Sequence, residues 1–361
     1  MNKTLIAAGL ALGSLAIGPF ATPSFLAPRA HAVLVLDYTH DVFFTGTSGN
    51  ATAKAALEQA AADINAIIQP GSLAPLDGTF SVDTGNNGLD LDFTGFYTNP
   101  TSGSQTQIGG FSSSADEVRV FVGTQNLAGS TLGQGGFGAA VASIDNFRIT
   151  TTTGLQQLAD DLSAEASLRA DRGGPIGGSA GGGFTVSGSS YSYDHDYGIF
   201  LGNIWFDTDT DNNGVTDSAA TLEANWHFDH TTAVAAGKDD FYSVALHELL
   251  HVLGIGGSTT WDSQINGSDW VGTKVNEVAS GINAVASDGS HLAPNLLSPT
   301  IHGGSLQEVV MDPNLLEGTR KVLTVFDAAV LEDLGYAIQI PEPATAALLT
   351  AGLFGLGRRR G

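Results

Sequence analysis

The stretch HELLHVLGIGG, residues 247–257, holds two histidines four positions apart, with a glutamate directly after the first. On a helix, residues i and i+4 share one face, so His247 and His251 can direct imidazole nitrogens at one metal ion. Glu248 lies one step round the helix, where it can reach a water molecule on that ion without binding the metal. Gly257 has no side chain, so a third protein ligand has to come from another part of the chain.

The residues around this motif predict the helix that the spacing requires. In KDDFYSVALHELLHVLG, Asp239 or Asp240 can cap the first turn, and Gly254 suits the end. The apolar residues between them predict that the other faces are buried. The alternative is a core helix with two incidental histidines. A chance match in a chain of this length is on the order of one per cent, which disfavours that alternative.

A hydrolytic zinc site uses three protein ligands and one open position. The downstream candidates for the third ligand are His291, His302, Asp262 and Asp269. Spacing alone does not choose among them.

A family resemblance narrows the choice. HELLHVLG, followed after a long insertion by DGSHL and then by EVVMDP, resembles the metzincin zinc metallopeptidases, in particular the leishmanolysin-like and matrixin-like bacterial secreted members. The resemblance implies His291 as the third zinc ligand, with His302 as the alternative. It also implies that Met311 lies beneath the zinc in a methionine turn. The chain departs from the family in lacking the compact HExxHxxGxxH form, and Pro313 replaces a tyrosine that some metzincins carry.

The segment MDPNLLEGTRKVLTVFDAAVLEDLGYAI, which begins at Met311, resembles the C-terminal part of secreted bacterial metzincins. Thr324 and Asp327 form a predicted capping pair for a helix that runs to Leu334, and Gly335 stops it. The fold implied is α/β (α+β), with a mixed twisted sheet, long helices, an active-site helix, a methionine turn and a C-terminal helix.

The activity implied is zinc-dependent hydrolysis of peptide bonds in protein or peptide substrates, with Glu248 as general base. One alternative is a non-catalytic surface or matrix protein that keeps a metzincin fold for binding. Another is an unrelated exported structural protein, which the high glycine content would suit. An intact Glu248 favours the enzyme, because a binding module does not need it.

Composition limits the class of protein further. The 361 residues include 37 acids and 14 bases, which give a net charge of −23 and disfavour binding to nucleic acid. The absence of cysteine excludes disulfides, thiolate metal sites and cysteine catalysis.

Both ends of the chain are predicted to direct export. Residues 1–32 have a lysine, an apolar run and an Ala30-His31-Ala32 pattern, so we expect a signal peptide that is cut after Ala32. Residues 341–361 combine Pro-Glu-Pro, a short apolar stretch and three arginines. This order resembles the PEP-CTERM sorting signal of Gram-negative bacteria, which implies recognition by an exosortase, transient membrane association, and delivery to the cell surface or extracellular matrix. Residues 33–340 remain as one predicted catalytic domain.

Hydrophobic patterns predict strands at VLVLDYT, EVRVFVG, YGIFLGNIWFDT and ANWHFDH, and helices over residues 51–68 and from Thr153. The glycine-rich residues 71–110 are predicted to be irregular or to form short hairpins. Residues 173–190 are predicted to form a flexible loop.

The stretch FDTDTDNNGVTD, residues 206–217, places oxygen donors at alternating positions. Asp209, Asp211, Asn213 and Asp217 match positions of a calcium loop, although the usual glutamate at the twelfth position is Ala220. The sequence therefore predicts a candidate calcium site, and the alternative is an acidic turn between two strands.

Overall fold

The computed structural model describes residues 33–46, 50–279 and 283–340. The predicted signal peptide and the C-terminal sorting segment lie outside these residues. The helices are α1 Ala51–Ile67, α2 Leu155–Ala170, α3 Ala219–Asn225, α4 Phe241–Val252, α5 Thr259–Ser263, α6 Thr273–Val278 and α7 Val325–Asp333. The strands are β1 Leu34–Asp37, β2 Thr79–Asp83, β3 Asn87–Thr98, β4 Gln105–Ile108, β5 Val118–Gln125, β6 Gly133–Phe137, β7 Ala139–Ile149, β8 Ile176–Val186, β9 Ser189–Gly198, β10 Leu201–Asp207, β11 Trp226–His227, β12 Asp239–Asp240, β13 Ile265–Asn266, β14 Asp269–Trp270, β15 Leu297–Pro299 and β16 Leu306–Glu308.

A mixed four-stranded sheet in the order β1-β5-β10-β6 forms the framework of the candidate site. Strands β1, β5 and β10 are parallel, and β6 pairs antiparallel with β10 at the edge. Side chains alternate between the two faces of a strand, so Val118, Val120 and Val122 join the core with α1 and α4. Phe121 joins a second core on the other side. The architecture is therefore mixed α/β, as the sequence predicts.

The second core lies between an antiparallel sheet, β2-β3-β4 with β7 on β3, and helix α2 with the hairpin β8-β9. Residues 71–110 are thus more regular than the prediction of irregular segments or short hairpins, because they contain the 12-residue strand β3. Alternate residues of β3 are buried, which gives this strand one face in the core.

The prediction of a flexible loop over residues 173–190 was wrong, because most of this segment forms β8, paired with β9. The glycines make room for aromatic rings of the partner strand. A Cβ atom at Gly182 would lie 2.4 Å from the Tyr193 hydroxyl, and one at Gly178 would lie 2.6 Å from that of Tyr197. The glycine-rich composition suggested a flexible segment, but tyrosine rings of the partner strand pack against the glycines, which have no side chains of their own to pack.

The predicted strand at ANWHFDH is also wrong in part. Helix α3 extends to Asn225, and only Trp226–His227 pairs as a strand. The C-terminal helix α7 was predicted correctly, with a Thr324–Asp327 capping box at its start and Gly335 in the left-handed region after its end. None of the described helices is both long and apolar enough to span a membrane.

Candidate metal centre

Three histidine side chains converge on one point beside α4. The Nε2 atom of His251 lies 3.2 Å from that of His247 and 3.3 Å from that of His291. His247 and His251 come from successive turns of α4, as their spacing predicts. His291 comes from the loop before β15. His302, Asp262 and Asp269 do not join this group.

Each of the three imidazoles is held through its other nitrogen. The Nδ1 atoms of His247, His251 and His291 lie 2.9, 2.8 and 2.8 Å from the Val310 carbonyl, the Ile255 carbonyl and the Asp288 carboxylate. These acceptors favour a proton on Nδ1, which leaves the Nε2 lone pairs free to face one another. Burial holds the pKa of His247 well below its usual value and lowers that of His251 to about 4. Both rings are therefore neutral near pH 7, as metal ligands have to be.

The glycines after α4 let the loop that carries His291 approach. Gly254 has a φ of +99° and ends the helix, and its N–H donates to the His251 carbonyl. A Cβ atom at Gly256 would lie 2.2 Å from the Ser290 carbonyl oxygen. The residue before His291 therefore packs directly on the backbone after the helix, and only glycine leaves the space.

Met311 is fully buried and follows Val310, whose carbonyl faces His247. The Met311 carbonyl accepts a hydrogen bond of 2.9 Å from the N–H of Leu292, which joins the methionine segment to the segment that carries His291. The N–H of Val310 donates to the buried carboxylate of Asp327 in the capping box of α7. Because the Val310 carbonyl faces His247, Asp327 connects the C-terminal helix to one of the three imidazoles through a single peptide segment.

Glu248 lines the same cleft and is only 6% exposed. Its carboxylate has no hydrogen-bond partner among the described residues, and burial raises its pKa to about 8. Strand β6 passes so close that a Cβ atom at Gly133 would lie 3.2 Å from Glu248 Oε1. A cation held by the histidines would favour the carboxylate form and lower this pKa. Glu248 is therefore a desolvated carboxyl group in the same cleft as the three histidines.

The cleft in front of the histidines has a volume of about 970 Å³. Strand β6 forms one rim, and the segment after Met311 forms the opposite rim. Beyond His247 the cleft continues past the N-terminal half of α4. A cleft of this size is typical of a ligand site.

The predicted calcium loop brings three of its four residues together. Carboxylate oxygens of Asp209, Asp211 and Asp217 lie within 4.8 Å of one another. Asn213 is committed to local bonds instead, since its Oδ1 accepts from Val215 N and its Nδ2 donates to Asp211. Asp209 accepts from the N–H groups of Asn213 and Gly214, which closes the turn.

The sequence did not predict the residues that hold the three imidazoles in place. Asp288 was not singled out, although a carboxylate three positions before a candidate ligand in DGSH is a usable signal. The carbonyls of Val310 and Ile255 carry no sequence signal, because any residue supplies one. The link from Asp327 to Val310 was also missed, since the sequence suggested only a helix cap.

Residues 339–360 match the PEP-CTERM protein-sorting motif, which confirms the predicted sorting signal. The motif identifies an exported protein that is sorted through its C-terminus, and it implies recognition by exosortase-type machinery. No curated protein and no solved structure matches the chain.

Proposed function

We propose that this exported protein is a zinc-dependent endopeptidase with a metzincin-type catalytic domain over residues 33–340. One observation carries the proposal: three histidines direct Nε2 atoms at one point, in a cleft that also contains an unpaired, buried glutamate. Three nitrogen ligands with an open fourth position are the donor set of catalytic zinc. The match of the C-terminus to the sorting motif supports placement at the cell surface.

When bound, zinc supplies a Lewis acid and lowers the pKa of a water molecule towards roughly 7. His247, His251 and His291 would hold the ion, and their Nδ1 partners fix the ring orientations. Glu248 accepts a proton from the water molecule while the oxygen of that water molecule forms a bond to the carbonyl carbon of the peptide. Glu248 then donates that proton to the leaving nitrogen as the C–N bond breaks.

The segments around the cleft support an extended substrate. Strand β6 is an edge strand, so its outer backbone groups can pair with a peptide. Burial of Glu248 beneath this strand excludes bulk water from the reacting groups, which strengthens electrostatic interactions there.

The test is hydrolysis of casein by the purified protein with added zinc, beside Glu248→Ala. We expect the parent to cleave casein, and the variant to keep zinc and lose activity by several orders of magnitude. Equal turnover by the two proteins would exclude Glu248 as the base. Zinc binding without cleavage of any protein or peptide would favour the alternative, a surface or matrix protein that uses the same fold for binding.

We also propose that Asp209, Asp211 and Asp217 bind calcium at the loop after β10. The loop borders the cleft through Thr210 and Asn212, so an ion there would stabilise one wall of the site. Its expected role is structural, because none of its carboxylates belongs to the histidine group.

A further inference from the structure

Two chain segments that line the cleft, one before α4 and one after Met311, are bonded to each other. The N–H of Gly318 donates to the Lys238 carbonyl at 2.8 Å. A Cβ atom at Gly237 would lie 4.0 Å from Glu317 Oε2. The segment before α4 and the segment after Met311 therefore meet in the lining of the cleft.

Three of the charged side chains that line the cleft, Lys321, Asp312 and Asp207, already have partners. The buried ammonium of Lys321 donates to the Asn314 carbonyl and lies 3.2 Å from a Glu308 oxygen and 3.9 Å from an Asp312 oxygen. Asp207 accepts hydrogen bonds from the N–H groups of Leu127 and Asp209. The single lysine of the lining is thus neutralised and does not offer a free positive charge to a substrate.

Besides Glu248, two carboxylates of the lining have no such partners. The side chains of Asp239 and Glu317 make no hydrogen bond or ion pair with the described residues, and both residues line the cleft. Asp240, not Asp239, caps α4 and pairs with Arg320, which leaves Asp239 free to face the cavity. Burial raises the pKa of Asp239, and the negative charge of Glu317 adds to the effect. Asp239 is partly withdrawn from water, and the like charge of Glu317 near it favours a cation between the two carboxylates.

The dimensions and walls of this region suit a long side chain. Phe241, where α4 begins, precedes His247 by six residues, which is about 9 Å along a helix axis. Val244, Leu315 and Trp205 line the intervening space. These walls can cover the aliphatic stem of lysine or arginine, while the charged end reaches the carboxylates. The overall charge of −23 adds a long-range attraction for basic substrates.

We infer that Asp239 and Glu317 form an acidic subsite that binds a lysine or arginine side chain of the substrate, so that the enzyme cleaves next to basic residues. The inference rests on the proposed peptidase function and adds the substrate class. Asp239 and Glu317 are specificity-determining residues here, and they take no part in the bond-breaking step.

The first experiment maps the cleavage sites in casein by mass spectrometry, using the zinc-loaded protein. We expect lysine or arginine directly beside most cleaved bonds. A matched peptide pair, with lysine or norleucine at that position, then gives a ratio of kcat/KM values. We expect at least a tenfold preference for lysine, and a fall of the ratio towards one when Asp239→Asn and Glu317→Gln are combined.

Two single variants sharpen the comparison. Glu277→Gln removes a negative charge from an exposed side chain outside the cleft, and it should keep the lysine preference. Glu317 is itself exposed, so Glu317→Lys is expected to fold, and it should shift the preference from lysine towards glutamate. A preference that the double variant and Glu317→Lys both leave intact would overturn the subsite.

Binding separates failure of the subsite from failure of the proposed function. Fluorescence anisotropy measures the affinity of the lysine and norleucine peptides for the zinc-loaded Glu248→Ala protein. Tighter binding of the lysine peptide, lost in the triple variant with Asp239→Asn and Glu317→Gln, supports the subsite even if the parent cleaves no peptide. Cleavage without any preference for basic residues, and equal binding of both peptides, would remove the subsite and leave the peptidase.

Discussion

The Nε2 atoms of His251 and His291 lie 3.3 Å apart, although 40 positions separate the two residues in the chain. The approach depends on Gly256, where the Ser290 carbonyl occupies the space that a side chain would need. The glycine-rich end of the motif therefore supplies no histidine to the group, but it admits the loop that carries His291. Of the two histidines in the C-terminal part, His291 joins His247 and His251, and His302 does not.

Replacement of His291 should remove the metal. We expect His291→Ala to weaken zinc binding by ~100-fold or more, which exceeds the usual effect of losing a residue that only orients a ligand. His302→Ala is the matched control, because His302 is exposed in a turn outside the group. The zinc content of each variant after dialysis against a weak chelator measures the two effects. Normal zinc retention by His291→Ala, or loss of zinc by His302→Ala, would contradict the assignment.

Asp288 should affect the metal through His291. Its carboxylate lies 2.8 Å from His291 Nδ1 and also accepts from the backbone N–H groups of Ser290 and His291. We expect Asp288→Asn to lower zinc affinity by about 10- to 100-fold, because the ring loses its orienting acceptor. Asp262→Asn is the control, since that carboxylate lies outside the histidine group. Competition with a fluorescent zinc chelator gives both affinities, and equal values would argue against a role for Asp288.

His195 should make the fold sensitive to acid. The residue is 2% exposed, packs edge-on to Phe93, and has no hydrogen-bond partner at either ring nitrogen among the described residues. Burial lowers its pKa below the usual 6.5, although Asp196 and Asp194 oppose the shift. The unfolded chain therefore binds a proton below pH 6.5 that the folded chain resists. Stability that is fully present above pH 6.5 should fall by at most about 1.4 kcal/mol per pH unit below it.

Urea denaturation at pH 7.5 and pH 5 tests this effect with the zinc concentration held constant. His195→Leu should lose less stability than the parent over this interval, because the variant has no proton to bind at that position. The comparison removes the contributions of the other histidines, which both proteins share. Equal losses in the two proteins would show that His195 does not titrate on unfolding.

Calcium should stabilise the loop after β10. Carboxylates that repel one another in the folded loop bind the ion, so millimolar calcium should raise the melting temperature in proportion to the binding free energy. Asp217→Asn should abolish most of the increase, and Glu223→Gln, an exposed neighbour outside the group, should not. No increase in the parent protein at millimolar calcium would remove the calcium site.

The sequence determined the local features of this protein. Helical periodicity predicted α4 with both of its histidines, and the spacing of Thr324, Asp327 and Gly335 predicted α7 with its cap and its stop. The order of Pro-Glu-Pro, an apolar stretch and three arginines predicted the sorting motif that residues 339–360 match. Each of these features depends on side chains within a few positions of one another, so it can be recognised from a short stretch of sequence.

Tertiary structure decided the relationships between distant segments. The choice of His291 over His302 depends on which loop packs against Gly256, and in the sequence a family resemblance, not the spacing, favours His291. The β8 strand was missed because its glycines are ordered by tyrosines of a neighbouring strand. Asp239 is unpaired because its neighbour Asp240 caps α4 and forms the ion pair with Arg320. Such outcomes depend on which partners the fold brings within contact distance, and that information is distributed over the whole chain.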